Sequence, residues 1–224
     1  MGLTKQAAIA RIREAGLIPI VRTSSSGHAL VAAEAIDEAG IGIAEITMTV
    51  PNALRVLEEL AERFGSRVLL GAGTVLDAEK AEAAIAAGAE FIVSPCLEPA
   101  VMEAAARHGK PAMPGALTPT EVVAAWRSGA DFIKIFPCGP VGGPRYIKAL
   151  RGPFPDLPLV PTGGVSRETA PQFIEAGAVA VAAGSELIDP RALAAGDTAT
   201  IASTARKYLE AIQAARARMA APSR

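Results

Sequence analysis

The sequence predicts an α/β protein built as one (β/α)8 barrel, the TIM barrel, over 1–224. Two observations carry this prediction. Alanine-rich helical segments, a glycine-containing break and a short β-branched strand follow one another repeatedly, which is the pattern of right-handed βαβ units in a parallel sheet. Eight strands and eight helices can be placed in the 224 residues, and this count favours a closed barrel over an open doubly wound sheet.

The predicted strands are short apolar runs that end in polar or small residues. In chain order they cover 18–22, 44–49, 69–74, 91–95, 111–115, 132–137, 158–163 and 179–184. The first strand leads into the polar loop RTSSSG at 22–27 rather than into a Gly-x-Gly-x-x-Gly motif, so a dinucleotide-binding fold is not favoured.

The predicted helices fill the intervals between the strands. They cover 28–39, 52–64, 77–87, 99–108, 119–128, 144–151, 167–176 and 200–218. Five glycines that follow helical segments are expected to adopt the positive φ of a C-terminal cap: Gly40, Gly88, Gly109, Gly129 and Gly177. The proline-rich stretch at 152–158 connects a helix to a strand, and no linker divides the chain, so a single domain suffices.

Composition points to a protein that acts on small molecules. Half of the residues are hydrophobic, which is enough for a large core. The formal charge of -1 is spread without long basic or acidic blocks, so neither a nucleic acid nor an anionic membrane is an expected partner. The two cysteines, Cys96 and Cys138, are too few for a disulfide framework and suit a reducing cytosol.

Targeting and metal-binding signals are not evident in the sequence. The N-terminus has no signal-peptide pattern and no apolar span reaches 18 residues, so we expect a cytoplasmic protein with no membrane partner. The two histidines, His28 and His108, stand far apart, which leaves no material for a histidine-rich metal site or a Ser-His-Asp relay.

A lysine in the sixth predicted strand is the strongest functional signal. Strand alternation in the run DFIKIFP at 131–137 places Lys134 on the face of Phe132 and Phe136. Lysine is almost never fully buried without a partner or a function. Because desolvation disfavours the ammonium form, a buried amine can attack a carbonyl. We therefore interpret Lys134 as a Schiff-base lysine, and a snorkelling or ion-paired structural lysine is the alternative.

A carboxylate in the second predicted strand is the matching candidate acid and base. Alternation puts Glu45, Thr47 and Thr49 on one face of this strand. A carboxylate inside a barrel is costly unless it pairs or transfers protons. The alternative is a Glu45–Lys134 ion pair that only satisfies two buried charges.

Small and hydroxyl-bearing residues at other strand ends suggest ligand contacts. Strand three ends GAGT at 71–74, where Thr74 can hold a carboxylate or carbonyl oxygen. Strand seven ends in Thr162, Gly163 and Gly164, and strand eight ends in Gly184 and Ser185. In barrels these two loops commonly bind phosphate with backbone N–H groups and a helix N-terminus, although glycine turns for chain reversal would look the same.

Together these motifs resemble those of the class I 2-keto-3-deoxy-6-phosphogluconate (KDPG) aldolases, which also act on 4-hydroxy-2-oxoglutarate (KHG). The resemblance covers nearly the whole chain. It is carried by EIT at 45–47, GAGTV at 71–75, FIVSP at 91–95, MPG at 113–115, TPTE at 118–121, FIKIFP at 132–137, IKALRGPFP at 147–155 and PTGG at 161–164.

The resemblance implies a metal-free aldolase that uses no cofactor, acts on a keto-acid phosphate and assembles as a homotrimer. Lys134 would form the Schiff base, Glu45 would move protons through a water, and Thr74 would contact the pyruvate carboxylate. The remaining implied contacts are Pro95, Phe136 and Thr162 with the substrate, and Gly163, Gly164, Gly184 and Ser185 with its phosphate.

One departure from the family pattern concerns the carboxylate clamp. Many relatives carry an arginine shortly after the strand-two glutamate, whereas this chain has Met48 and Thr49 there. Arg22, at the end of strand one, is the natural substitute because a guanidinium can bind a carboxylate bidentately.

Other functions share part of this pattern. An aldolase acting on 2-keto-3-deoxy-6-phosphogalactonate would use the same residues. A phosphosugar isomerase or epimerase would use the carboxylate without an iminium, and a non-catalytic barrel could serve as an assembly scaffold. The intact Lys134 argues against the scaffold.

Overall fold

The computed structural model describes residues 3–220, so six residues of the domain predicted over 1–224 lie outside it. Within that range the chain forms ten α-helices and nine strands. The helices are α1 Lys5–Ala15, α2 Ser26–Glu38, α3 Ala53–Phe64, α4 Ala78–Ala86, α5 Pro99–Arg107, α6 Pro119–Arg127, α7 Pro144–Arg151, α8 Ala170–Glu175, α9 Pro190–Ala194 and α10 Thr198–Ala220. The strands are β1 Leu17–Val21, β2 Ile43–Thr47, β3 Leu69–Gly73, β4 Phe91–Val93, β5 Ala112–Met113, β6 Gly115–Ala116, β7 Ile133–Ile135, β8 Leu159–Pro161 and β9 Val181–Ala183.

The strands form a curled, all-parallel arrangement. Six of them pair in the order β5-β4-β3-β2-β1-β9, and three pair in the order β6-β7-β8. Every strand pairing is parallel. The carboxyl ends of the strands therefore meet at one edge, as the βαβ pattern predicts.

The predicted fifth strand, 111–115, is divided into β5 and β6 at Pro114. Before Pro114 the segment pairs with β4, through Ala112 and Met113. After it, Gly115 and Ala116 pair with β7. Proline has no N–H to donate to a ladder, which explains the interruption. The short segment 112–116 thus passes from one sheet to the other.

The two sheets also meet through their outer strands β8 and β9. An isolated parallel bridge joins Thr162, just after β8, to Ala182 of β9. The Val179 N–H also donates to the Leu159 carbonyl, at 3.1 Å. These contacts set the loops that follow β8 and β9 side by side.

Most predicted helices are confirmed within one or two residues, and all five predicted glycine caps have positive φ, from 61° to 105°. The prediction missed α1 and α9. It also started its seventh helix at 167, whereas α8 begins at Ala170 because the Ser166 and Thr169 side chains form hydrogen bonds of a preceding turn. The helix after Gly163 and Gly164 therefore begins three residues later than predicted.

The missed helix α9 has a recognisable cap. The Asp189 carboxylate caps α9 by accepting from the Arg191 N–H, and Pro190 occupies its first turn.

None of the helices within residues 3–220 is both long and apolar enough to cross a membrane.

Close packing between β3 and β4 depends on a glycine. Gly71 pairs with Phe91, and a Cβ added at Gly71 would overlap the buried Phe91 ring. By contrast, a Cβ added at Gly27 in α2 would meet nothing within 4 Å. The first position has no room for a methyl group and the second has ample room.

We predict opposite effects of alanine at these two positions. Gly71→Ala should lower the free energy of unfolding by about 1–3 kcal/mol because the core must shift. Gly27→Ala should raise it by about 0.5–1 kcal/mol, since alanine favours the helix. Urea unfolding of both variants measures these changes, and equal stabilities of the two would contradict the packing described for Gly71.

Candidate active site

One cavity of about 720 Å³ opens at the carboxyl ends of the strands. Ten of the eleven residues singled out from the sequence line it. They are Arg22, Thr74, Pro95, Lys134, Phe136, Thr162, Gly163, Gly164, Gly184 and Ser185. The eleventh, Glu45, is buried outside this lining. Since parallel strands present their ends together, residues far apart in sequence converge here.

Lys134 lies in the middle of β7 and is 4% exposed. No carboxylate within residues 3–220 approaches its Nζ to the 4.0 Å of an ion pair. Its Nζ lies 5.2 Å from the centre of the Phe136 ring, within the range of a cation–π contact. Lys134 is thus a buried residue of the cavity lining that forms no ion pair with a carboxylate of the described residues.

Glu45 lies in β2 and is 1% exposed. Its Oε1 has no hydrogen-bond partner among the described residues. Burial raises the pKa of this carboxyl above its ordinary value, although the charges of Lys134 and Arg22 oppose the shift. A carboxyl whose pKa is raised in this way can hold and release a proton nearer to neutral pH.

The glycines of β3 make room for this carboxyl. A Cβ at Gly73 would overlap Glu45 Oε1, so only glycine allows the carboxyl its position. Gly73 pairs with Thr47 on the neighbouring strand. The sequence GAGT therefore serves packing inside the sheet, and its Thr74 lines the cavity.

Arg22 is fixed by two hydroxyl groups at the cavity rim. Its guanidinium donates to Thr49 Oγ1 and to Thr74 Oγ1, both at 3.1 Å. Thr74 has a φ of 59°, which is rare for a β-branched residue and directs the chain at the end of β3. Thr47 Oγ1 lies 2.9 Å from Thr49 Oγ1 and 3.2 Å from the Val21 carbonyl. Sequence reasoning noted Thr47 and Thr49 but missed that Thr49 holds Arg22.

The loops after β8 and β9 present unused backbone donors. The N–H groups of Gly164, Gly184 and Ser185 donate to no backbone carbonyl within residues 3–220. Gly163 and Gly164 have positive φ, and Gly139 packs so closely that a Cβ on Gly164 would lie 2.8 Å from its Cα. These loops can thus offer backbone N–H groups to an anion.

A further wall of the cavity was not predicted. It is formed by the segment after β9 and by α9, the helix that the sequence analysis missed. Its residues are Glu186, Ile188, Pro190, Leu193 and Ala194. Thr23, Ser24 and His28 also line the cavity, from the loop after β1 and from α2. The Asp189-Pro190 pair, an N-cap followed by a proline, was the signal that could have revealed α9.

Comparison with known proteins decides the family. The profile of one protein family, described as "Aldolase: KDPG and KHG aldolase", matches residues 8–204. The chain belongs to the KDPG and KHG aldolase family.

Similar members of the KDPG and KHG aldolase family carry two activities in their names. A 2-dehydro-3-deoxy-phosphogluconate aldolase of Treponema pallidum (strain Nichols) is 32% identical over 92% of this chain and 96% of its own length. A 2-dehydro-3-deoxy-6-phosphogalactonate aldolase of Escherichia coli (strain K12) is 33% identical over 88% of this chain and 96% of its own length.

The fold is likewise that of a solved KDPG aldolase. The crystal structure of the Legionella pneumophila enzyme, with pyruvate captured at low pH as a covalent carbinolamine intermediate, matches with a TM-score of 0.82 and 28% identity. The match covers 89% of this chain and 96% of that chain. Covalent capture of pyruvate is the chemistry expected of a class I aldolase.

The buried carboxyl of Glu45 should make stability depend on pH. Because its folded-state pKa is raised, the folded chain binds this proton more tightly than the unfolded chain does. The corresponding stabilisation is present below the unfolded-state pKa of Glu45 and is lost as pH rises through its folded-state pKa.

Relative to Glu45→Gln, which has no proton to lose, the wild type should therefore become less stable as pH rises. Urea unfolding of both proteins between about pH 4 and 8 measures the difference, and a difference that does not change with pH would contradict the prediction.

Proposed function

We propose that the chain is a class I aldolase that cleaves KDPG to pyruvate and glyceraldehyde 3-phosphate through a Schiff base on Lys134. KHG, which would give pyruvate and glyoxylate, is a second proposed substrate. The observation that supports this most directly is a buried lysine that lines a cavity at the carboxyl ends of the strands and has no carboxylate of residues 3–220 within 4.0 Å of its amine.

The first half of the proposed reaction forms an electron sink. The neutral Lys134 amine adds to the C2 ketone, and loss of water gives an iminium. Glu45, acting through a water, accepts the proton of the C4 hydroxyl while the C3–C4 bond breaks. The bonding electrons move into the iminium to give an enamine, and the aldehyde product leaves.

The second half regenerates the amine. Protonation of the enamine at C3 gives the imine of pyruvate, and water releases pyruvate from Lys134. Burial raises the pKa of Glu45, which suits a group that must accept and return a proton. Phe136 and Pro95 line the cavity around the reacting carbons.

The two ends of the substrate are proposed to bind in different ways. Arg22 and Thr74 are assigned to the pyruvate carboxylate, because the guanidinium is already oriented at the rim. Gly163, Gly164, Gly184 and Ser185 are assigned to the phosphate through their backbone N–H groups, with Thr162 beside them.

The phosphogalactonate activity is the second candidate. The similarity to the Escherichia coli enzyme of that name supports it as strongly as the similarity to the Treponema pallidum enzyme supports KDPG cleavage. Both substrates would use the same Schiff base. Cleavage rates on the two stereochemically defined phosphates decide between them.

We also propose that the two sheets close into one (β/α)8 barrel in a single domain, with 112–116 acting as one strand. The passage of this segment between the sheets and the Thr162–Ala182 bridge support closure. If the barrel is closed, the Ala182 amide should exchange with solvent as slowly as amides in the centre of β2.

A homotrimer in the cytoplasm completes the proposal. The family resemblance supports the trimer, and the two free cysteines, Cys96 and Cys138, support a reducing compartment. Sedimentation velocity measures the oligomeric state, and cell fractionation measures the location.

Trapping with pyruvate and borohydride tests the Schiff base. We expect a stable adduct on Lys134, located by peptide mass spectrometry, because reduction of the imine makes the link permanent. Lys134→Met should fold and give neither adduct nor turnover, whereas the exposed control Lys148→Ala should behave as the wild type. An adduct in the Lys134 variant, or none in the folded wild type, would remove this mechanism. Glu45→Gln should still form the adduct but cleave KDPG about 10²–10⁴ times more slowly.

The hydroxyl of Thr49 provides a test of the Arg22 assignment. Thr49→Val removes one of the two hydrogen bonds that orient the guanidinium, a loss of about 0.5–1.5 kcal/mol. The pyruvate concentration needed for half-maximal adduct formation should rise about two- to tenfold. The limiting extent of adduct should stay the same, and Thr204→Val on α10 should have no effect. An unchanged pyruvate dependence in Thr49→Val would separate Arg22 from carboxylate binding.

A further inference from the structure

The charges that line the cavity are distributed unevenly. The two basic side chains of the lining, Arg22 and Lys134, belong to the part assigned to the keto acid. The lining contributed by the loops after β8 and β9, and by α9, includes no lysine or arginine. Its one ionised group is the carboxylate of Glu186, which follows Ser185 directly.

No cation within residues 3–220 neutralises Glu186. None of the ion pairs within 4.0 Å involves it. The nearby carboxylate of Glu168 differs, because it is paired with Arg167 at 3.1 Å and lies outside the cavity lining. Glu186 therefore presents an uncompensated negative charge beside the backbone donors of the two loops.

The field of this carboxylate extends to the loop after β8. The Tyr208 hydroxyl donates to the carbonyl of Val165, the residue after Gly164, at 3.3 Å. Burial is the main cause that raises the pKa of Tyr208, and the charge of Glu186 adds to it. Glu186 lines the same cavity as Gly164 and Gly184, so its charge acts on an anion bound between the two loops.

A carboxylate in this place discriminates between two kinds of ligand. It repels a phosphate dianion held by the neighbouring N–H groups, and it can accept a hydrogen bond from a terminal hydroxyl. The backbone donors alone favour the phosphate, because its charged oxygens accept stronger hydrogen bonds than a hydroxyl oxygen does. A carboxylate beside them opposes that preference, so the side chain that carries the charge shifts the balance between the two end groups.

We propose that Glu186 is a specificity-determining residue that lowers the preference for phosphorylated substrates and lets the site accept unphosphorylated 2-keto-3-deoxy sugar acids. This inference rests on the proposed aldolase function. Glu186 touches only the far end of the substrate, so it affects binding of that end and leaves the chemistry at Lys134 unchanged.

The test compares one pair of substrates that differ only in the phosphate, KDPG and 2-keto-3-deoxygluconate, by the rate of pyruvate release. In Glu186→Gln the kcat/KM for KDPG should rise about fivefold at low ionic strength, and that for the unphosphorylated substrate should not rise. The gain should disappear near 1 M salt, where the Debye length is about 3 Å. Glu103→Gln removes an equal charge from the exposed face of α5, outside the cavity lining, and should change neither rate.

A second readout does not depend on catalysis. Inorganic phosphate should raise the melting temperature of Glu186→Gln at lower concentrations than it does for the wild type or for Glu103→Gln. The same ratio of the two kcat/KM values in Glu186→Gln and wild type, or the same phosphate dependence of melting, would overturn the assignment of Glu186. Absence of a pyruvate adduct on Lys134 would instead overturn the proposed function. The effect of Glu186 on an anion would then be decided by the phosphate dependence of the melting temperature alone.

Discussion

The site depends on holding two ionisable groups inside a parallel sheet without pairing them. Lys134 and Glu45 are both nearly inaccessible, yet their charged atoms are not within 4.0 Å of each other. Burying such groups singly costs free energy, which the rest of the fold must offset. A direct ion pair would reduce that cost, but it would also occupy the amine that the proposed mechanism needs. The cost of burial is visible at Glu45, where it raises the pKa of the carboxyl above its ordinary value.

Small residues around these two groups make the arrangement possible. Gly73 leaves the space that the Glu45 carboxyl occupies, and Gly71 leaves space for the Phe91 ring on the next strand. Gly115 plays a similar part where β6 passes the backbone of Pro95. The glycines of these strands therefore serve close packing between neighbouring strands. Protein interiors are packed so closely that a single added methyl group at such a position forces its neighbours to shift.

Sequence periodicity predicted most of the fold because the elements alternate regularly and the helices end at glycines. It found the residues that converge on the cavity because parallel strands bring their carboxyl ends to one edge, whatever their separation in sequence. It could not find the division at Pro114, where one segment pairs on one side and then on the other. Nor could it find the wall formed by α9, a five-residue helix too short to show a period. The hydrogen bond from Arg22 to Thr49 could not be predicted from the sequence either, because it depends on the distance in space between the ends of two strands.

The two ends of the cavity differ in charge, with Arg22 at one end and Glu186 at the other. A guanidinium held by Thr49 and Thr74 offers two N–H groups and a fixed charge, so it attracts a carboxylate more strongly than uncharged backbone donors do. The loops after β8 and β9 offer donors without a cation, and Glu186 adds a negative charge there. A substrate with a carboxylate at one end is consequently favoured in one orientation. If Arg22 holds the pyruvate carboxylate as proposed, the ketone next to that carboxylate is directed toward Lys134, and the distribution of charge at the two ends of the cavity selects which carbonyl meets the amine.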